Sequence, residues 1–286
     1  MSDPSTDLVD LVLNVFERTY RRALEPGSID AIVADNDHDL ARRVVLVNNV
    51  LDPADATARA ERALARGEID ELHFVADRLE GALRTVGLSR RELEPLLHYS
   101  DGPLVAATLP GSPFFLYWDP EARLAHPSDW IAPALDLMRG EPQIMIANPS
   151  WELPGPDGRM PGVERETVLS RDGFAIGPGF SDQIFLASRA SLAAPIYTQR
   201  CIADITYPAA HKARVFEARL GAHMRHHGRL RATALQASYV TDSPAGGSSY
   251  PPSGPLELVR YARNGATLRA IALTPWRPRC LKHTWL

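Results

Sequence analysis

The sequence of 286 residues has only two cysteines and no apolar stretch long enough to cross a membrane. Cys201 and Cys280 are too few for a disulfide framework and lack metal-type spacing, so we expect two reduced thiols. The N-terminus lacks the basic segment and apolar core of a secretory signal. We therefore expect a cytoplasmic protein without a transmembrane segment.

Positive charge does not exceed negative charge: 31 Lys and Arg stand against 35 Asp and Glu, a formal net charge of −4. This balance argues against a general nucleic-acid-binding surface. A hydrophobic content of 45% and a charged content of 23% are those of an ordinary soluble globular protein. The abundance of Ala, Arg and Pro is associated with GC-rich bacterial genomes, so we expect a bacterial source.

Strand-like and helix-like segments alternate over the first 150 residues. The patterns predict strands at residues 8–16, 42–47, 72–76, 114–118 and 143–147. They predict a short helix that stops at 26–27 and longer helices at 54–66, 79–86 and 130–138. This alternation is typical of an α/β domain with a mainly parallel central sheet.

The rest of the chain is less periodic. Residues 150–179 predict a long loop, and Ser181 or Asp182 is placed to cap a helix that reaches about residue 192. A second helix is predicted at 209–226, a flexible stretch at 243–254 and a last strand at 267–273.

The strand at 114–118 runs directly into two acids, Asp119 and Glu121. In an extended segment, residues i and i+2 share a face, so the two carboxylates can project together. Hard divalent ions such as Mg²⁺ and Mn²⁺ prefer oxygen ligands and accept one or two protein carboxylates beside phosphate oxygens. A solvated turn is the alternative interpretation of the same spacing.

Polar residues also follow the other predicted strands. The four pairs are Glu17 with Arg18, Asn48 with Asn49, Asp77 with Arg78, and Asp119 with Glu121. Because ligands of parallel α/β sheets bind beyond the carboxyl ends of the strands, these pairs predict one binding site.

The order of these segments resembles the A-type (GT-A) fold of nucleotide-sugar-dependent glycosyltransferases. Leu-Tyr-Trp-Asp119-Pro-Glu121 stands where that family has Asp-X-Asp, and Val-Leu-Val-Asn48-Asn49 stands where many members have paired aspartates. Gly-Phe-Ser-Asp182-Gln is similar to the element that opens the acceptor-side helix in several bacterial members. The resemblance covers roughly residues 8–240.

The resemblance implies a Rossmann-type nucleotide-binding half, residues 1–150, merged with an acceptor-binding half, residues 151–286, in one continuous domain. It implies a divalent metal, Mg²⁺ or Mn²⁺, at Asp119 and Glu121. The implied contacts to the nucleotide-diphosphate sugar are Glu17, Arg18, Asn48, Asn49, Asp77, Arg78 and Trp118.

An inverting transfer needs a general base, for which Asp182 is the first candidate and Glu217 the second. Their alternative roles are a helix cap for Asp182 and a solvated pair with Arg219 for Glu217. The family's third metal ligand, a histidine, is left open among His211, His223, His226 and His227. The adjacent pair at 226 and 227 cannot share a helix face and so chelates one ion poorly.

The expected activity is hexosyl transfer from a nucleotide sugar to a small-molecule or glycan acceptor. A sugar nucleotidyltransferase is the first alternative, but such enzymes carry a Gly-rich loop after the first strand, and residues 14–22 contain no Gly. A catalytically degenerate nucleotide-binding protein is the second, because Asn48 and Asn49 lack the charge of paired aspartates. The oligomeric state is left open, a homodimer included.

Overall fold

The computed structural model describes residues 8–206 and 212–242, together with seven residues between 259 and 271. Its strands are β1 (Val9–Val15), β2 (Arg42–Val47), β3 (Glu71–Phe74), β4 (Phe114–Trp118), β5 (Ala122–Leu124), β6 (Ile144–Ser150), β7 (Leu169–Arg171), β8 (Phe174–Gly177), β9 (Ile184–Ser188) and β10 (Leu230–Thr241). Its α-helices are α1 (Tyr20–Ala23), α2 (Ser28–Asp35), α3 (Pro53–Ala65), α4 (Val75–Val86), α5 (Asp101–Thr108), α6 (Ile131–Gly140), α7 (Pro161–Glu166), α8 (Arg189–Ala193) and α9 (Phe216–His227).

One sheet runs through both halves of the described chain in the order β3-β2-β1-β4-β9-β6-β10-β8-β7, and β5 pairs with β10. The first four strands, β3-β2-β1-β4, are parallel to one another. β9 lies antiparallel between β4 and β6, and β10 runs parallel to β6. The predicted α/β fold with parallel strands around the site is confirmed, and antiparallel strands join the sheet beyond β4.

Side chains alternate across β1, and each face of the sheet has its own core. Leu11 and Leu13 face the side that α1, α2, α3 and α6 cover, whereas Val12 faces α4, α5 and α9. Full burial of such a side chain stabilises the fold by roughly 1.5–3 kcal/mol. The chain therefore forms three layers, with helices on both faces of the sheet.

Two segments within residues 1–150 differ slightly from the prediction. The strand predicted at 72–76 ends at Phe74, and α4 begins at Val75, four residues before the predicted helix start. Val75, Leu79 and Val86 are all buried on one helical face, and this helical burial overrides the strand-like pattern.

The described residues after 150 show larger differences. The predicted loop at 150–179 contains α7, β7 and β8, and the predicted helix after Ser181 is the strand β9 followed by the short helix α8. β9 is covered on both faces, with Ile184 and Leu186 in one core and Phe185 and Ala187 in the other, so its sequence is a continuous apolar run. Such a run does not distinguish a buried strand from a buried helix.

Three further predictions fall at the end of the chain. The helix predicted at 209–226 begins at Phe216 in the described residues, and 207–211 lie outside them, as does the stretch 243–254. Within the strand predicted at 267–273, the described residues Thr267, Ala270 and Ile271 are helical, so that prediction is wrong there. In the part of the chain that is described, no helix has the length and apolar composition of a membrane span.

A buried ion cluster fixes the amino-terminal edge of the sheet. The carboxylate of Asp10, fully buried in β1, accepts hydrogen bonds from Arg42 Nη2 at 2.6 Å, Ser112 Oγ at 2.6 Å and Arg189 Nη2 at 2.7 Å. Burial raises the pKa of Asp10, but these three partners outweigh it and hold the pKa below its usual value. The cluster ties β1, β2 and the start of α8 together.

We expect Asp10→Asn to lower the free energy of unfolding by about 3 kcal/mol, because the substitution leaves the Arg189 guanidinium buried without its counter-ion. Urea unfolding followed by circular dichroism measures the difference. Asp30→Asn is the matched control, since Asp30 pairs with Arg43 at an exposed position and should change stability by less than about 0.5 kcal/mol. Equal unfolding midpoints for Asp10→Asn and the parent chain would contradict the assigned role.

Candidate active site

A cleft of about 460 Å³ opens at the carboxyl edge of β1, β2 and β4. Six residues that the sequence nominated line it: Arg18, Asn48, Asn49, Asp119, Glu121 and Asp182. The rule that ligands bind beyond the carboxyl ends of parallel strands therefore located the cleft correctly.

The antiparallel strand β9 explains why Asp182 reaches this cleft. The start of β9 lies beside the end of β4, with Trp118 opposite Ile184. The backbone N–H of Asp119 donates to the carbonyl of Gln183 at 2.8 Å, which extends the pairing by one residue. Residues just before β9 therefore face residues just after β4, although they are more than 60 positions apart in the sequence.

The two acids after β4 lie in a tight turn. The N–H of Ala122 donates to the carbonyl of Asp119 at 2.9 Å, and the N–H of Glu121 donates to Asp119 Oδ1 at 2.9 Å. Across the cleft, Arg18 Nη2 lies 2.9 Å from Glu121 Oε1. The turn itself thus orients Asp119, and an exposed arginine holds Glu121.

The cleft concentrates negative charge. Burial raises the pKa of Asp119 to about 7, with further upward contributions from the carboxylates of Glu121 and Asp182 and a downward one from Arg18. Burial also raises the pKa of Asp182 to about 6. Carboxylates that destabilise one another in a partly buried cleft are stabilised by a divalent cation.

Asp119 and Glu121 fit such a cation as two of its ligands. Among the described residues, no group of three or more His, Cys, Asp or Glu side chains is arranged to hold a metal ion. A hard cation accepts one or two carboxylates and completes its shell with phosphate oxygens and water. The residues present therefore suit a metal that binds together with a diphosphate.

Three of the four histidines considered as a third ligand are described, and none of the three lines this cleft. His211 lies outside the described residues. His223 lines a second cavity, of about 510 Å³, which opens at the starts of β4 and β6 and hence at the opposite edge of the sheet. His226 and His227 follow it on α9 and contact Arg200 and Gln199.

Sequence reasoning missed Asp101, which organises the asparagine pair. Its buried carboxylate accepts from Asn48 Nδ2 at 2.7 Å, Asn49 Nδ2 at 3.3 Å and the N–H of Gly102 at 2.7 Å. Burial raises the pKa of Asp101, and these three donors oppose the shift. Asn48 and Asn49 carry no charge of their own, but the carboxylate of Asp101 beside them partly offsets this lack.

Asp182 and Glu217, the two predicted catalytic carboxylates, interact electrostatically. Ser100 Oγ accepts from the N–H of Phe216 at 2.9 Å and so fixes the start of α9 beside the start of α5. Burial raises the pKa of Glu217 well above its usual value, and the carboxylates of Asp182 and Glu166 raise it further. Asp182 belongs to the cleft lining, whereas Glu217 does not.

The alternative roles of these acids are not supported by the contacts. Asp182 precedes a strand, so it caps no helix. Arg219, the supposed partner of Glu217, instead donates to the backbone carbonyls of Arg214, Tyr197 and Glu92.

Four nominated donor contacts lie outside the cleft lining. Glu17 accepts from the N–H of Leu51 at 2.7 Å and pairs with Arg21 at 3.1 Å. Asp77 and Arg78 are exposed in the first turn of α4, and the indole N–H of Trp118 donates to the carbonyl of Ala122 in the core. Because α4 begins directly after β3, Asp77 and Arg78 already belong to the helix. They therefore point away from the cleft at the ends of the strands.

A scan of protein-family models and a search of curated proteins found no match to the chain. Solved structures similar to it include GalNAc-T7 with UDP, GalNAc and Mn²⁺, at 12% identity and a TM-score of 0.44 over 91% of this chain and 48% of that one. They include glucosyl-3-phosphoglycerate synthase from Mycobacterium tuberculosis with Mn²⁺, UDP and glucosyl-3-phosphoglycerate, at 16% identity and 0.44 over 96% and 81%. They also include the galactosyltransferase LgtC with donor and acceptor sugar analogues, at 17% identity and 0.36 over 65% and 59%. The chain thus spans about half of GalNAc-T7 and over half of LgtC.

Proposed function

We propose that the chain transfers a hexosyl group from a nucleotide-diphosphate sugar to a small-molecule or glycan acceptor, with Mg²⁺ or Mn²⁺ at Asp119 and Glu121. The observation that supports this proposal is the convergence of Asp119, Glu121 and Asp182 with the asparagine pair in one cleft. Its volume of about 460 Å³ lies in the range of small-molecule sites.

The donor side of the cleft would be formed by residues up to about 150. Asn48 and Asn49 offer amide groups to the ribose or base, held in place by Asp101. Arg18, whose side chain is 67% exposed, lies beside Glu121 and can turn its planar guanidinium to two phosphate oxygens at once. Nucleoside and diphosphate contacts thus come from the ends of neighbouring parallel strands.

Asp119 and Glu121 would hold the metal at the end of β4. The metal would supply a Lewis acid that stabilises the charge developing on the leaving diphosphate. Arg18 contributes positive charge next to the same phosphates, and the tight turn after β4 keeps Asp119 oriented before the donor binds.

The acceptor side would be formed by residues from about 151 onward, with Asp182 as general base. Asp182 lines the same cleft and acts electrostatically on Asp119, and an acceptor hydroxyl would approach the sugar beside it. A carboxylate there takes the proton of the hydroxyl as it attacks. Glu217 adjoins Asp182 from outside the cleft and is the second candidate.

Calorimetric titration with UDP and GDP, each with and without Mn²⁺, tests this function. We expect at least one nucleoside diphosphate to bind far more tightly with Mn²⁺, and to raise the unfolding temperature, because ligands that bind the native state stabilise it. The absence of metal-dependent nucleotide binding would overturn the proposal. Release of pyrophosphate from a nucleoside triphosphate and a sugar phosphate would identify a sugar nucleotidyltransferase instead.

A further inference from the structure

The last turns of α9 carry three histidines that the proposed reaction does not use. His223 and His227 are four residues apart and so share a face of the helix. Their ring centroids lie 4.5 Å apart with the planes inclined by 37°. His226 faces elsewhere, and its Nε2 lies 2.8 Å from the carbonyl oxygen of Arg200. The spacing thus brings two of the three imidazoles together.

Gln199, from the segment that precedes α9, covers this histidine pair. Its Nε2 lies 2.7 Å from His227 Nε2, and its Oε1 lies 3.2 Å from His223 Nδ1. An amide N–H can only donate, so the lone pair of His227 Nε2 points toward Gln199. One nitrogen of each imidazole therefore converges on a single amide group.

These atoms form a ligand set for a borderline transition metal. Two imidazole nitrogens at i and i+4 on a helix form the arrangement that binds Zn²⁺ in helical metal sites. His223 Nδ1 donates to Gln199 Oε1 in the amide-bound state, and the ordinary shift of its proton to Nε2 frees the Nδ1 lone pair. Because the Gln199 amide nitrogen lies 2.7 Å from His227 Nε2, a metal can bind that lone pair only after the Gln199 side chain turns, and its amide oxygen is then available as a third ligand.

Solvent can reach two of the three side chains, because His227 is exposed and His223 borders a cavity. His223 lines the cavity of about 510 Å³ at the starts of β4 and β6, together with Ser188, Ser191 and Arg229. Water in this cavity can fill the remaining positions of a metal. The positive charge of Arg229 opposes a divalent cation, so the geometry favours micromolar rather than nanomolar affinity.

We propose that His223 and His227, with the side-chain oxygen of Gln199, form a binding site for Zn²⁺, Ni²⁺ or Cu²⁺ that is separate from the donor cleft. The two sites differ in chemistry as well as place. Imidazole ligands select these ions, whereas the carboxylates at the carboxyl edge select Mg²⁺ or Mn²⁺. A bound ion would tie the end of α9 to the segment around Gln199.

Isothermal titration of the metal-free full chain with ZnCl₂, in the presence of excess Mg²⁺ to occupy the donor cleft, tests this site. We expect one Zn²⁺ per chain with micromolar affinity and a rise in unfolding temperature. His227→Ala should weaken Zn²⁺ binding about tenfold or more, because one of two imidazole ligands is lost. His227 is exposed, so this variant is expected to fold.

Three variants complete the test. His223→Gln should weaken Zn²⁺ binding as His227→Ala does, while the matched control His226→Ala should leave it unchanged. Asp119→Asn should also leave it unchanged, which separates this site from the donor cleft. The proposal is overturned if the parent chain binds no Zn²⁺, if His227→Ala binds it as tightly as the parent, or if His226→Ala weakens binding equally.

Discussion

Asp119→Asn is expected to abolish Mn²⁺-dependent binding of the nucleotide and to lower turnover by about 10³-fold, roughly 4 kcal/mol of transition-state stabilisation. The amide has the size of the carboxylate and its oxygen can still accept from the N–H of Glu121, so the turn after β4 is retained. What is lost is the negative charge that faces the cation. Titration of UDP or GDP with Mn²⁺ and a transfer assay measure the two effects.

The same substitution should preserve or raise thermal stability. Burial and the neighbouring carboxylates raise the pKa of Asp119 to about 7. Above this pH Asp119 is ionised, and its charge destabilises the folded state. A neutral amide removes this repulsion, and sites tuned for function commonly show such a trade-off. Asp77→Asn, the same change at an exposed position on α4, is the control. Full metal-dependent activity of Asp119→Asn would show that the Asp119 carboxylate does not hold the metal.

The strands within residues 1–150 were predictable because their structural cues are local. β2 was predicted at its observed limits, and the apolar run of β4 is bounded by Pro113 and Pro120, which cannot extend a central strand. Asp119 and Glu121 follow that boundary directly. Where an apolar run defines a strand and a proline marks its end, the residues that follow the strand can be identified from the sequence.

Contacts between distant segments could not be predicted in this way. Asp101 reaches Asn48 from 53 positions away, and its own segment shows no periodicity that would place it there. Asp182 was nominated as a residue before a helix, whereas the structure places it before β9. The residue was identified, but the reason it meets Asp119 is the antiparallel insertion of β9 between β4 and β6.

The second large effect is expected at Asp182, the predicted general base. Asp182→Asn should lower turnover by about 10³-fold while leaving donor affinity nearly unchanged. Burial raises the pKa of both acids. With a pKa of about 6, Asp182 is mostly ionised at pH 8 and able to accept a proton. The pKa of Glu217 is raised well above its usual value by burial and by Asp182, so Glu217 is the better proton holder.

Glu217→Gln is therefore the matched control, because a glutamine resembles the protonated acid. We expect it to lower turnover by about tenfold at most, since it changes the surroundings of the base without removing it. Turnover, donor affinity and unfolding temperature should be measured for both variants at pH 8. If Asp182→Asn lost only thermal stability, Asp182 would be structural; if Glu217→Gln lost more turnover than Asp182→Asn, the base would be Glu217. Whichever variant loses more turnover identifies the proton acceptor. We expect this to be Asp182, because Asp182 lines the cleft and Glu217 does not.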